Sequence, residues 1–257
     1  MHVPFNCRVK SKLISATLLA AFAFLSVCAA QAPDEAKPSV YAPATDLVTQ
    51  VKTYVESLSA ATADAEEYDE DKQGEVNRDA NTLAAIALVL GMHDQDNPLK
   101  PAAAKLIAAS KHLASEHGDA QKAAEAVKAI KAIVDKPEKG GAVAWKPTAE
   151  MVPLMKQVPI VNNNLRRGVA GKRFAQTADK NAALAATLAA IAQVSMLDTD
   201  HIAEESDRPL WIKTCAEMRD GSGEAIKAIR KGDQVAATKA MDQIVKSCDD
   251  CHHKFRD

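Results

Sequence analysis

The stretch Thr82-Leu83-Ala84-Ala85-Ile86-Ala87 recurs residue for residue as Thr187-Leu188-Ala189-Ala190-Ile191-Ala192. An internal repeat of this length limits the fold to architectures in which one supersecondary unit is built twice. A second correspondence extends it. His117-Gly118-Asp119 opens a segment that resembles the one beginning Lys231-Gly232-Asp233, and Ala123, Ala126 and Ile130 fall opposite Ala237, Ala240 and Ile244.

Each copy carries four stripes of helical period, three to four residues apart on one face. In the first they are Leu47, Val48, Val51, Val55 and Leu58; Val76, Ala80, Leu83, Ala87 and Leu90; Leu106, Ile107 and Leu113; and Ala123, Val127, Ile130 and Val134. In the second they are Met151, Leu154, Met155 and Val158; Ala185, Leu188, Ala192 and Met196; Trp211, Cys215, Met218, Ile226 and Ile229; and Ala237, Ala240, Met241 and Ile244, continuing to Cys248, Cys251, His252 and Phe255. Gly118 and Gly232 suit the left-handed position that ends a helix, and Asp119 and Asp233 offer a carboxylate cap to the next. Short turns of this kind make neighbouring helices antiparallel. The pattern predicts an all-α protein of two tandem up-down four-helix bundles, over residues 46–135 and 149–257. Between them Lys136-Pro137-Glu138-Lys139-Gly140-Gly141 reads as a breaker-rich linker. The acidic run from Asp64 to Asp71 reads as a solvated connection.

The last stripe runs into Cys248-Asp249-Asp250-Cys251-His252. Thiols three residues apart on a helix share a face, and an imidazole four residues after the first thiol shares it too. Cys-x-x-Cys-His is the arrangement that covalent haem attachment requires: the cysteines take the two vinyl groups of one porphyrin edge, and the adjacent imidazole becomes the proximal iron ligand. Three other uses are open to these residues. A zinc site including His253 needs a second ligand pair or a looped knuckle, a thioredoxin-like dithiol needs a βαβ context, and a disulfide within the motif is poorly placed on one helix. The helical setting favours haem over all three.

At the other end, His2, Arg8, Lys10 and Lys12 precede an apolar run from Leu13 to Leu25, and Cys28-Ala29-Ala30 follow it. This is the pattern of a secretory signal peptide over residues 1–30. Leu25-Ser26-Val27-Cys28 faintly resembles a bacterial lipoprotein box, so membrane association is expected only with lipid on Cys28. Export places the chain in the bacterial periplasm, where covalent haem attachment is expected. The formal charge of -2 argues against nucleic acid as a partner, and 4% aromatic residues suit bundles of small-residue helices. Cys215 is the one cysteine left over after cleavage and haem attachment; its place on the stripe Trp211, Cys215, Met218 makes it a buried, inert thiol. His93, His112, His117 and His201 read as scattered surface histidines, so sequence assigns no catalytic residue.

A Gly-Asp turn, a helix, and a Cys-x-x-Cys-His-x-x-Phe-Arg ending close to the last residue resemble the class II c-type cytochromes, the cytochrome c′ group. The match is strongest from Gly232 to Arg256 and extends as a helix pattern over residues 149–257. The resemblance implies one haem c on Cys248 and Cys251, His252 as proximal ligand, and periplasmic electron transfer with redox partner proteins or the binding of small gases. The family often has a basic residue one turn before the distal position on the first helix; Met151 stands there in this chain. In the first half, Val134, Pro137 and Glu138 stand opposite Cys248, Cys251 and His252, so that half resembles the bundle without its cofactor. Related bundles pair as dimers, and the first half is expected to take an internal partner's place, with a homodimer as the alternative.

The leading expectation is a monohaem electron carrier rather than an enzyme. The alternative is a five-coordinate haem protein that binds NO or CO or handles peroxide; a third reading makes the haem structural in an interaction module. The sixth iron position divides the first two. Leu154-Met155-Lys156 is similar to the methionine-bearing segment of low-spin relatives, which makes Met155 the candidate distal ligand, with ordinary core packing as its other role. Pro159 cannot donate to the carbonyl of Met155, so a kink is expected beside the haem.

Overall fold

The computed structural model describes residues 36–256; the expected signal peptide and Cys28 lie outside them. Among the described residues there are nine α-helices, three short 3-10 turns and no strand: α1 (Pro38–Tyr41), α2 (Ala44–Ala61), α3 (Glu70–Gly91), α4 (Ala103–Glu116), α5 (Ala120–Asp135), α6 (Met151–Ala170), α7 (Ala178–Ser195), α8 (Arg208–Arg230) and α9 (Gln234–Phe255). No described helix is long and apolar enough to cross a membrane.

Helices α2 to α5 pack in a ring in which each touches the next and α5 returns to α2; α6 to α9 close a second ring in the same order. The rings meet where α2 and α3 lie against α7 and α3 also lies against α6. This seam explains the repeated sequence. Thr82 to Leu90 on α3 are all buried, as are Ala185 to Met196 around α7, because each helix is covered by its own ring on one side and by the other ring on the opposite side. A helix covered all round has no polar face to keep, and its small residues let neighbours approach closely. One hydrophobic cluster, from Leu47 through Leu83 and Leu188 to Ile244, runs through both rings.

The two Gly-Asp turns are built differently. Gly232 has φ +72°, with its N–H on Ile229 O and that of Asp233 on Ala228 O, a Schellman closure of α8. Asp233 then caps α9 by accepting from Ala236 N–H at 2.9 Å. Asp119 caps α5 in the same way, accepting from Lys122 N–H at 3.0 Å. Gly118, however, is not left-handed. There the turn is held from outside, by the Tyr68 hydroxyl donating to His117 O at 2.7 Å, a partner 49 residues away. The acidic run is solvated as expected, and its last residues belong to α3, which Asp69 caps.

The linker after α5 is not an idle tether. Gly140 N–H donates to Pro101 O at 2.8 Å, Val143 lies over Gly91 at the end of α3, and Trp145 rests on the main core. By the repeat, Gly91 corresponds to Met196, so the linker covers the end of the first ring that stays open in the second.

Candidate functional site

At that end of the second ring lies a cavity of about 740 Å3 between α6, the end of α7, α8 and α9. It falls within the roughly 300–1,000 Å3 of small-molecule sites. Beside it is a small apolar cluster separate from the main core, formed by Met151, Met196, Trp211 and Cys215, all but Met196 lining the cavity, with Met155, Cys251 and Phe255 packed against it.

All four sequence-predicted site residues lie on this wall. Helix α9 continues to Phe255, so Cys248, Cys251 and His252 stand on its last two turns, i, i+3 and i+4. The two thiols are half-buried and His252 is exposed. Facing helix α6 contributes Met155, half-buried, and Met151, buried. The helix runs unbroken through Pro159, which also lines the cavity and leaves the Met155 carbonyl without its usual i+4 donor.

Two contacts hold the last turn of α9 in place, and a third fixes the tryptophan that makes one of them. The Phe255 ring meets Trp211 edge to face with centroids 5.2 Å apart. Trp211 Nε1 donates to Ser195 O at 3.0 Å, which ties α8 to the end of α7. Lys254 Nζ pairs with Asp207 Oδ2 at 2.8 Å.

Burial pushes the Cys248 thiol up to about 11, with the neighbouring Cys251 and Asp249 adding to the effect. Burial also raises Cys251, against a hydrogen bond with Thr214, and raises Cys215, whose surroundings include both motif cysteines. At neutral pH these groups are protonated thiols rather than thiolates. Cys215 is buried as expected and lies on the same wall as the motif.

His93 departs from the surface reading. His93 is 1% exposed; Gln95 N–H donates to its Nδ1, so Nε2–H donates to Ala42 O at 3.1 Å and the ring is a buried structural element. His201, on the loop between α7 and α8, is exposed as expected and also lines the cavity, with Asp198 3.6 Å from its Nε2. Sequence gave no sign of this, since the loop has no periodicity. Nor did it mark Asn162 or Ser195, whose Oδ1 and Oγ are buried on the wall with no hydrogen-bond partner. Lys156 and Arg256 supply positive charge on the same wall.

No protein-family model, curated protein or solved structure matches this chain. The site therefore rests on its own chemistry. Two thiols and an imidazole are presented from one helix into an apolar cavity, a thioether stands on the facing helix, and two buried polar atoms lack partners. This donor set fits a haem attached through the two sulfurs. Among the described residues no three His, Cys, Asp or Glu side chains gather as ligands for a bare metal ion.

Proposed function

We propose that the protein is an exported monohaem c-type cytochrome that carries electrons, similar to the class II cytochromes. The observation that carries the proposal is the convergence of Cys248, Cys251, His252 and Met155 on one cavity. Cys248 and Cys251 would hold the haem through thioether bonds, each thiol adding across a vinyl double bond, sulfur to one carbon and hydrogen to the other, with no external oxidant. His252, fixed by the helix directly after Cys251, would supply one nitrogen ligand to the iron, and Met155 would supply a sulfur ligand from the facing helix. Haem supplies the one-electron iron couple. Met151, Val158, Trp211 and Phe255 give the cavity an apolar wall, and Lys156 and Arg256 on the same wall would offset the charge of the two porphyrin carboxylates. A thioether together with imidazole on the iron would raise the potential and limit rearrangement on reduction, both suited to a carrier.

A second reading has one observation in its favour. The unpartnered Ser195 Oγ and Asn162 Oδ1, with His201 on the same wall, are groups that could hold a small polar ligand if Met155 stays off the iron. The test is the absorption spectrum of protein exported from a host that attaches haem c. The carrier reading expects a low-spin spectrum that cycles reversibly with oxidant and reductant. A high-spin spectrum with rapid CO binding selects the second reading, and a protein without haem rejects both.

A further inference from the structure

The seam between the rings contains a carboxyl group with no place in the haem site. Asp79, on α3, is 5% exposed and is bonded by neutral groups: Ser57 Oγ lies 2.8 Å from its Oδ2, and Gln157 Nε2 donates to its Oδ1 at 3.3 Å. Gln157 comes from α6 and also donates to the Tyr54 hydroxyl at 3.0 Å, using the second hydrogen of the same amide. Ser57 is less well supplied. Its hydroxyl lies 3.1 Å from Glu75 Oε1 as well, and it has a single hydrogen for two carboxylates.

Counting hydrogens leaves the cluster one short when both carboxylates are ionised. One added proton completes it: protonated Asp79 donates to Ser57, and Ser57 donates to Glu75. The other charged and titratable groups acting here are Arg78 on α3 and Tyr54 on α2; Thr187 reaches Tyr54 from α7, and α6 contributes the neutral Gln157. Burial, the largest influence, pushes the Asp79 carboxyl up to about 7.

Gln157 stands two residues after Met155 on α6, turned to the seam while Met155 is turned to the cavity. We propose that Asp79 is a proton-binding site that latches α6 to the first half, so that one proton bound at the seam alters how the Met155 wall of the cavity is held. The seam proposal stands on the protein alone; its effect on iron rests on the haem reading.

The test uses the full chain labelled for carbon and nitrogen NMR, followed across the neutral pH range, with Asp79→Asn as the assigned control. The expected result is a single Asp79 carboxyl transition near neutrality, with the Gln157 side-chain amide and the α6 backbone signals moving at the same midpoint. Those movements are absent in Asp79→Asn. Gln157→Met keeps the volume but removes a donor to the carboxylate; it raises the midpoint and uncouples α6. Titration of Asp79 together with exposed aspartates, or α6 signals that ignore its transition, would overturn the proposal. Where haem is bound, the sulfur-to-iron band should change at the same midpoint, and a constant band overturns the link to Met155. Failure of haem attachment leaves the NMR result readable, so the two readings fail separately.

Discussion

Phe255 meets Trp211 at an interplanar angle of 88°, joining the last turn of α9 to α8 three residues beyond His252. An edge-to-face pair contributes about 0.5–1.5 kcal/mol beyond the area it buries. Phe255 is only half-buried, so Phe255→Ala should cost about 1–2 kcal/mol rather than the ~3–5 of a fully buried ring. Urea unfolding of the full chain measures this, and the Trp211 fluorescence should shift toward that of a more solvated indole. A variant as stable as the parent would mean the end of α9 is held without the ring pair.

The seam carboxyl makes stability depend on pH with a defined sign. Folded Asp79 retains its proton up to about pH 7, whereas the unfolded side chain releases it near 3.8. In that window the folded state binds more protons, so this group's stabilising contribution is complete at the acidic end and is lost as pH rises through the window. At about 1.4 kcal/mol per pH unit the loss is on the order of 4 kcal/mol. Asp79→Asn should flatten this part of the stability curve and exceed the parent in stability above neutrality. Denaturant titrations at a series of pH values decide it; parallel curves for the two proteins would contradict the assignment.

Glycine substitutions should separate by position. A methyl group on Gly223 would lie 3.0 Å from Tyr41 Cα, backbone that packs α1 onto α8, and the Tyr41 ring is already covered by the Arg219 guanidinium at 5.1 Å. Gly223→Ala should therefore cost about 1–3 kcal/mol and speed proteolysis near α1. Gly118→Ala meets no atom within 4 Å and needs no left-handed backbone, so it should be neutral or stabilise by about 0.4–1 kcal/mol. Gly232→Ala also has space, but its φ of +72° makes the substitution destabilising by about 1 kcal/mol.

These positions also mark what sequence could and could not tell. The stripes Leu47 to Leu58 and Ala237 to Ile244 were legible because burial on one side of a helix leaves a period, and the terminal motif was legible because its chemistry lies within five consecutive residues. Gly118 and Gly232 looked alike, yet only Gly232 is left-handed, since Tyr68 reaches across 49 residues to hold the other turn. His201, Ser195 and Asn162 gave no local signal; what places them at the cavity is the packing of α6, α7 and α8. Asp79 and Gln157 are 78 residues apart, so their bond is a property of the seam alone.

Met155 carries the division between electron transfer and gas binding. Met155→Ala should abolish the weak sulfur-to-iron band of the oxidised protein, open the sixth position to CO and lower the potential. Its half-buried side chain limits the stability cost to about 1–2 kcal/mol. If the unaltered protein already has a five-coordinate spectrum, Met155 is a packing residue and the gas-binding reading takes over.

The most direct test of the haem assignment is peptide mass spectrometry of the exported protein. The expected result is one haem per chain, attached to the peptide that contains Cys248 and Cys251, and no such adduct once both are replaced by alanine. Free thiols on that peptide in protein from a haem-attaching host, or zinc bound in place of haem, would contradict it.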